Sequence, residues 1–205
     1  SDTTETTAIT WKDYVFCDLR GFKVVITDTS SAAGITVNTA TTNAWFFNGE
    51  IFRTTGTLAD TVVLRVSSTS GNAVRFVNLR IQNSINVAGC HGIVCEGGCN
   101  ASFQNLLPVF SQTSSLASIL VKDTAAPSFQ NCQMRGAIVR NAALPQFISC
   151  VNSGIANYAL QSFDASVTRI IGGHWTLSGA VLGIQANNNS NIFATGLFLH
   201  NTPAT

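Results

Sequence analysis

Three cysteines and a histidine crowd into "GCHGIVCEGGC" (89–99), where Cys90, His91, Cys95 and Cys99 stand close together. Thiolate and imidazole are the ligands zinc prefers, but structural zinc sites pair two C-x2–4-C knuckles, and no second knuckle follows. Cys90, Cys95 and Cys99 are the only metal-ligand candidates in the chain. The competing reading is buried thiols, because free cysteine packs as a small hydrophobe. No cofactor is expected.

Carboxylates are scarce. Cleaving a glycosidic bond takes two of them on either side of one bond. Beyond residue 60 the chain offers only Glu96, Asp123 and Asp164, with Glu50 and Asp60 in the N-terminal part. The catalytic candidates are therefore Glu96, Asp123 and Asp164, and the earlier two acids serve only if a second subunit supplies their partners. His91, His174 and His200 are scattered and flank no nucleophile at a recognisable elbow.

What must position these residues is set by composition. Of 205 residues only 10% are charged, against roughly 25% in an average domain. A surface helix needs a polar face of Glu, Lys, Gln and Arg, which three Lys and three Glu cannot supply. Short strands rich in Val, Ile, Phe and Thr, broken by Gly, Asn and Ser, fit better. The net charge of +1 gives no electrostatic case for nucleic acid. No apolar run approaches the roughly 18 residues of a membrane span. "SDTTETTAIT" (1–10) lacks the basic and apolar regions of a signal peptide and reads as a polar leader or a cut in a longer protein.

A phrase recurs along the chain: "VRFVNL" (74–79), "ASFQNL" (101–106), "PSFQNC" (127–132) and "PQFISC" (145–150). Aligned on phenylalanine, the separations from Ile93 to Phe103, Ile119 to Phe129 and Ala137 to Phe147 are each ten residues. A weaker copy runs from Gly183 to Phe193, and one beginning at Ala159 needs one extra residue to put Ile170 in place. The intervening stretches vary: 17 residues from Phe76 to Ile93, 16 from Phe103 to Ile119, 8 from Phe129 to Ala137. One arm of fixed length and one elastic arm is how a solenoid tolerates insertions. Alternation around each phenylalanine gives a period of two, hence strands stacked in parallel and sharing one interior.

Asn78, Asn105 and Asn131 follow the phenylalanine by two residues and predict an internal amide ladder, with Ser149 and Thr195 continuing it and Gly172 breaking it. Cys132 and Cys150 are equivalent, predicting stacked core thiols. Glu96, Lys122 and Arg140 are likewise equivalent and predict an exposed column of charge. Asp123 aligns with Asn141 and Asn187, with Asp164 one residue on, which suits a turn ladder.

The F-x-N-C/L phrase, the asparagine positions and coils of about 18 to 27 residues resemble the right-handed parallel β-helix of pectin-lyase-like proteins, over residues 35–200. The low-charge surface is similar to the viral branch of that class, the bacteriophage tailspikes and fibre domains. The resemblance implies an all-β chain with a single right-handed parallel β-helix of about seven to nine coils, working as a homotrimer. Of the polygalacturonase motifs only "CHGI" (90–93) echoes Gly-His-Gly.

The expected organisation is a leader and cap over 1–33, in which Trp11, Tyr14, Phe16 and Leu19 cover the end of the stack, then the β-helix over 34–205. The expected function is a viral attachment module, in the virion or outside the cell, recognising a surface glycan. The alternatives are a polysaccharide depolymerase with carboxylates at a subunit groove and a purely structural trimerisation domain. Variable segments on rigid scaffolds carry recognition. They hold Phe110, Tyr158, His174 and Trp175, the ligand-binding candidates.

Overall fold

The structure is a computed structural model that describes residues 7–11, 16–27, 33–38, 44–54, 61–68, 74–84, 90–111, 117–152, 158–178 and 183–202. These residues form strands and turns, with no helix among them, and every strand pairing is parallel. A first sheet stacks β1 (Thr7–Trp11), β4 (Ala33–Asn38), β6 (Val62–Ser68), β8 (His91–Gly97), β11 (Ile119–Val121), β14 (Ala137–Val139), β17 (Leu160–Ser162) and β20 (Ile184–Ala186). A second stacks β2 (Phe16–Asp18), β5 (Trp45–Arg53), β7 (Arg75–Asn83), β9 (Ser102–Gln104), β12 (Ser128–Gln130), β15 (Gln146–Ile148), β18 (Val167–Ile171) and β21 (Asn191–Thr195). Beside it, β3 (Lys23–Ile26) pairs with β5 and β10 (Leu107–Ser111) with β7. The third sheet runs β13 (Gln133–Met134), β16 (Val151–Asn152), β19 (His174–Ser178) and β22 (Phe198–Thr202).

The chain is thus a parallel β-solenoid. Parallel strands cannot be joined by hairpins, and here the rest of each coil is the crossover. Regular three-strand turns begin at β8 and number about five, fewer than the seven to nine coils predicted. Ahead of them β5 and β7 are nine-residue strands that take up positions shared later by two shorter strands. Residues 7–26 join the same sheets through β1, β2 and β3.

Register sharpens the repeat. Ile93, Ile119, Ala137, Leu160 and Ile184 align in the first sheet. Phe103, Phe129, Phe147, Ile170 and Ala194 align in the second. Subtraction gives ten residues in all five turns. The extra residue allowed at Ala159 is therefore absent, and Gly183 and Phe193 each lie one position from where the sequence alignment placed them. A one-residue slip moves a side chain to the opposite face, and Phe193 accordingly points outward, 60% exposed.

The interior is a column of rings. Phe46, Phe76, Phe103, Phe129 and Phe147 stack at centroid separations of 5.8, 4.9, 4.6 and 5.2 Å, tracking the roughly 4.8 Å strand spacing. Complete burial stabilises each by roughly 1.5–3 kcal/mol relative to exposure. The column ends where Trp175 meets Phe147 edge-on at 5.9 Å. Cys132 and Cys150 lie buried in this core, as predicted from their equivalence. Gly173, at φ 101°, is a glycine by necessity, since a Cβ there would run into the Cys150 carbonyl.

At the ends of β5, β7 and β16, before the chain returns to the first sheet, buried polar side chains complete the backbone bonding. Arg53 Nη1 donates to the Val62 carbonyl at 2.9 Å, Asn83 to that of His91 at 3.1 Å, and Asn152 Oδ1 accepts from Gly136 N–H at 2.9 Å. The segments whose length varies in the sequence follow these strands.

Candidate functional site

The acidic candidates occupy structural positions. Glu96 sits in a pocket of about 170 Å³ outside the first sheet, with Lys122 Nζ at 2.8 Å and Arg65 Nε at 3.7 Å from its two oxygens. Arg140 leaves the predicted charge column and lays its guanidinium over the Phe163 ring at 5.4 Å. Asp123 and Asp164 belong to one turn ladder, in which Asn141 donates to Asp123 at 3.3 Å and Asn188 to Asp164 at 3.1 Å. All four hold left-handed φ angles of 61°, 56°, 55° and 51°, so Asp164 is in line and Asn188, rather than Asn187, completes the set. Glu50 pairs with Lys23 at 3.3 Å. Asp60 lies outside the described residues.

The thiols are equally committed. Cys90 Sγ lies 3.0 Å from Thr61 Oγ1. Burial, and then the hydrogen bond with Cys99, pushes the Cys95 thiol well above the usual thiol range. Among the described residues no three His, Cys, Asp or Glu side chains converge as a metal site.

The aromatic candidates separate. Trp175 is fully buried as the terminus of the ring column and presents no face to solvent. His174 is exposed, with its ring edge-on to Phe198 at 5.1 Å and to His200 at 6.1 Å. Tyr158 is half-buried. Phe110 falls in β10, and its side chain is outside the described residues.

The amide ladder exists, but on an exposed corner and not inside. Asn48 donates to Asp18 at 3.3 Å, Asn78 to Asn48 at 3.1 Å and Asn105 to Asn78 at 3.1 Å. Asn131 keeps the left-handed turn, φ 51°, without an amide bond to Asn105 among the described residues. Ser149 and Gly172 continue the same turn with φ of 51° and 63°. Each asparagine holds the left-handed bend two residues after the inward phenylalanine, within β5 and β7 for Asn48 and Asn78 and just past β9 for Asn105.

Beside this ladder lies a surface the sequence reading passed over. Each inward residue of the second sheet is flanked by two outward ones, and register stacks these into two columns. The first runs Phe16, Trp45, Arg75, Ser102, Ser128, Gln146, Arg169 and Phe193. The second contains Phe47, Val77, Gln104, Gln130, Ile148 and Ile171. At the N-terminal end, Trp45, Phe47 and Val77 with the amides of Asn48 and Asn78 enclose a hollow of about 220 Å³. Arg75 lies over the Trp45 ring at 4.6 Å, and Phe16 tilts against it at 6.1 Å. Farther along, Asn100, Ala126, Leu144, Gln146, Val167 and Arg169 line a groove of about 540 Å³ that crosses successive coils. Among the described residues no carboxylate lines either hollow. The signal was present at the positions either side of each inward phenylalanine, but Trp45 and Arg75 are 30 residues apart and meet only through register.

This face can stack flat apolar rings and exchange hydrogen bonds with hydroxyls. No protein-family model, curated protein or solved structure matches the chain.

Proposed function

We propose that the chain is an attachment module of a viral particle that recognises a surface glycan on the outer face of its second sheet and works as a homotrimer. The viral assignment rests on the resemblance of the low-charge, Ser/Thr/Asn-rich solenoid to tailspike and fibre domains. The glycan reading is carried by one observation, the Trp45–Phe47 platform flanked by the Asn48 and Asn78 amides. Sugars bind where an aromatic face meets their C–H surface and fixed amides meet their hydroxyls. Asn48 and Asn78 each use one N–H and one oxygen site within the ladder, which leaves the rest of their hydrogen-bonding capacity for a ligand.

A glycan array followed by calorimetry on the hits tests this reading. Trp45→Ala is expected to weaken binding at least about tenfold, equivalent to 1.4 kcal/mol, with the thermal midpoint little changed. An array without hits, or unaltered binding by the variant, overturns it. Turnover assays on the same hits test the depolymerase alternative, and sedimentation equilibrium tests the trimer.

A further inference from the structure

The outer face of the third sheet brings two histidines together. His174 of β19 lies in register with Phe198 of β22, and Thr176 with His200. The two imidazoles thus sit diagonally on adjacent strands, with ring centroids 6.1 Å apart and planes at 77°. Both side chains are exposed, and among the described residues neither imidazole makes a hydrogen bond or an ion pair. His91 differs, being buried with Nδ1 2.6 Å from the Ala117 carbonyl oxygen. The Phe198 ring meets that of His174 edge-on at 5.1 Å, a contact that restricts the rotamers open to His174. From Ile170 to Thr205 the sequence contains no Asp, Glu, Lys or Arg.

We propose that His174 and His200 chelate a single divalent transition-metal ion of the zinc and nickel type. This site lies on a different sheet from the glycan face and does not depend on it. Metal–nitrogen bonds of about 2.0–2.1 Å put an imidazole centroid about 3.2 Å from its ion, so two ligating rings stand about 4.5 Å apart at right angles and about 6.4 Å apart when opposed. The observed 6.1 Å falls within that span, and small rotations of two exposed rings close it to a tetrahedral arrangement. The donors also select the ion. Imidazole nitrogen suits zinc, nickel and copper, whereas calcium and magnesium require oxygen ligands. Residues 170–205 supply no carboxylate for those harder ions and no cation to repel the metal's charge. Thr176, the register partner of His200, adds a hydroxyl to the same face, and water fills the remaining positions.

Calorimetry of the intact chain with zinc, nickel, magnesium and calcium chlorides in a non-coordinating buffer tests the site. Zinc and nickel are expected to bind at one ion per chain, and magnesium and calcium to give no saturable heat. His174→Ala and His200→Ala should each weaken zinc binding at least about tenfold, with the thermal midpoint of the metal-free protein little changed. Saturating zinc should raise that midpoint in the wild type and not in either variant. His200→Asp should restore part of the loss, because a carboxylate oxygen also ligates zinc. Cobalt in place of zinc reports the donors: imidazole and water give only weak visible bands, whereas a thiolate such as that of half-buried Cys17 adds an intense sulfur-to-cobalt band.

Absence of saturable zinc and nickel binding at millimolar ion overturns the proposal, as does binding that both alanine variants retain. A sulfur-to-cobalt band overturns it as well, since the ion would then sit on a cysteine. Magnesium or calcium bound as tightly as zinc does the same, because the donors would then be oxygens elsewhere on the chain. None of these outcomes touches the glycan reading, and an array without hits leaves the histidine pair standing.

Discussion

Asn78 donates its side-chain amide to Asn48 Oδ1 at 3.1 Å across one coil, and both residues hold left-handed backbone angles, φ 52° and 59°. The two facts belong together. The bend requires positive φ, which asparagine tolerates better than most residues, and the same bend aims the amide up the stack.

Asn78→Ala therefore removes two things at once, the tolerated left-handed angle and the two amide bonds to Asn48 and Asn105. Asn78→Gly removes only the second. Urea unfolding should show Asn78→Ala destabilised by about 1–3 kcal/mol and Asn78→Gly by less. Equal losses would mean that backbone angle contributes nothing at this corner.

Phe129 lies between Phe103 at 4.6 Å and Phe147 at 5.2 Å, with 0% of its surface exposed. Phe129→Ala opens a cavity in the middle of the column and is expected to cost about 3–5 kcal/mol. Phe193→Ala, at an outward position 60% exposed, should shift the midpoint far less. A comparable loss at Phe193 would contradict the register that places it outside.

Glu96 provides a direct contest between structure and catalysis. If its function is to hold Lys122 and Arg65, Glu96→Gln should cost under about 1 kcal/mol, because the partners remain partly exposed. Any glycan turnover detected in the wild type should survive the substitution. Loss of turnover with stability preserved would instead make Glu96 catalytic.

Two buried thiols set an alkaline limit on stability. The hydrogen bond with Cys150, and then burial, pushes the Cys132 thiol far above its usual range, and burial does the same to Cys95. Above about pH 8.5 an unfolded thiol loses its proton while these two keep theirs, so the native state binds more protons and stability falls as pH rises. Below that pH these two thiols keep their protons in both states, while the hydrogen bonds that push them up push their partners Cys99 and Cys150 down, which opposes the fall there. The urea midpoint should drop between pH 7.5 and 10, and Cys132→Ala should flatten part of the fall. A variant with the wild-type slope would remove Cys132 from the account.

The arm of ten residues was legible because Phe103, Phe129 and Phe147 recur with near-identical neighbours. The last two turns were misregistered by one residue because "YAL" and "LGI" offer adjacent apolar choices, and composition cannot say which of two neighbours faces in. Hydrogen bonding between coils decides it, and Leu160 and Ile184 take the inward places. Trp175 reads from the sequence as a ligand-binding candidate because it lies in a variable segment, yet the third sheet turns it onto Phe147. The Trp45–Arg75 column was illegible for the opposite reason. Its members share no phrase, and only the stacking of β5 on β7 brings them together.

The constant ten-residue arm has a final consequence for selectivity. Because hydrogen bonds between coils fix the pitch of the second sheet, its outward column is a ruler whose graduations cannot be retuned by substitution. A polymer whose repeat is commensurate with that pitch would stay in phase along the whole face, each added unit meeting the next coil's outward residue. One with a different repeat drifts out of phase within a few units, however well its first unit fits. Discrimination of this kind depends on length, so long ligands should be sorted far more sharply than short ones.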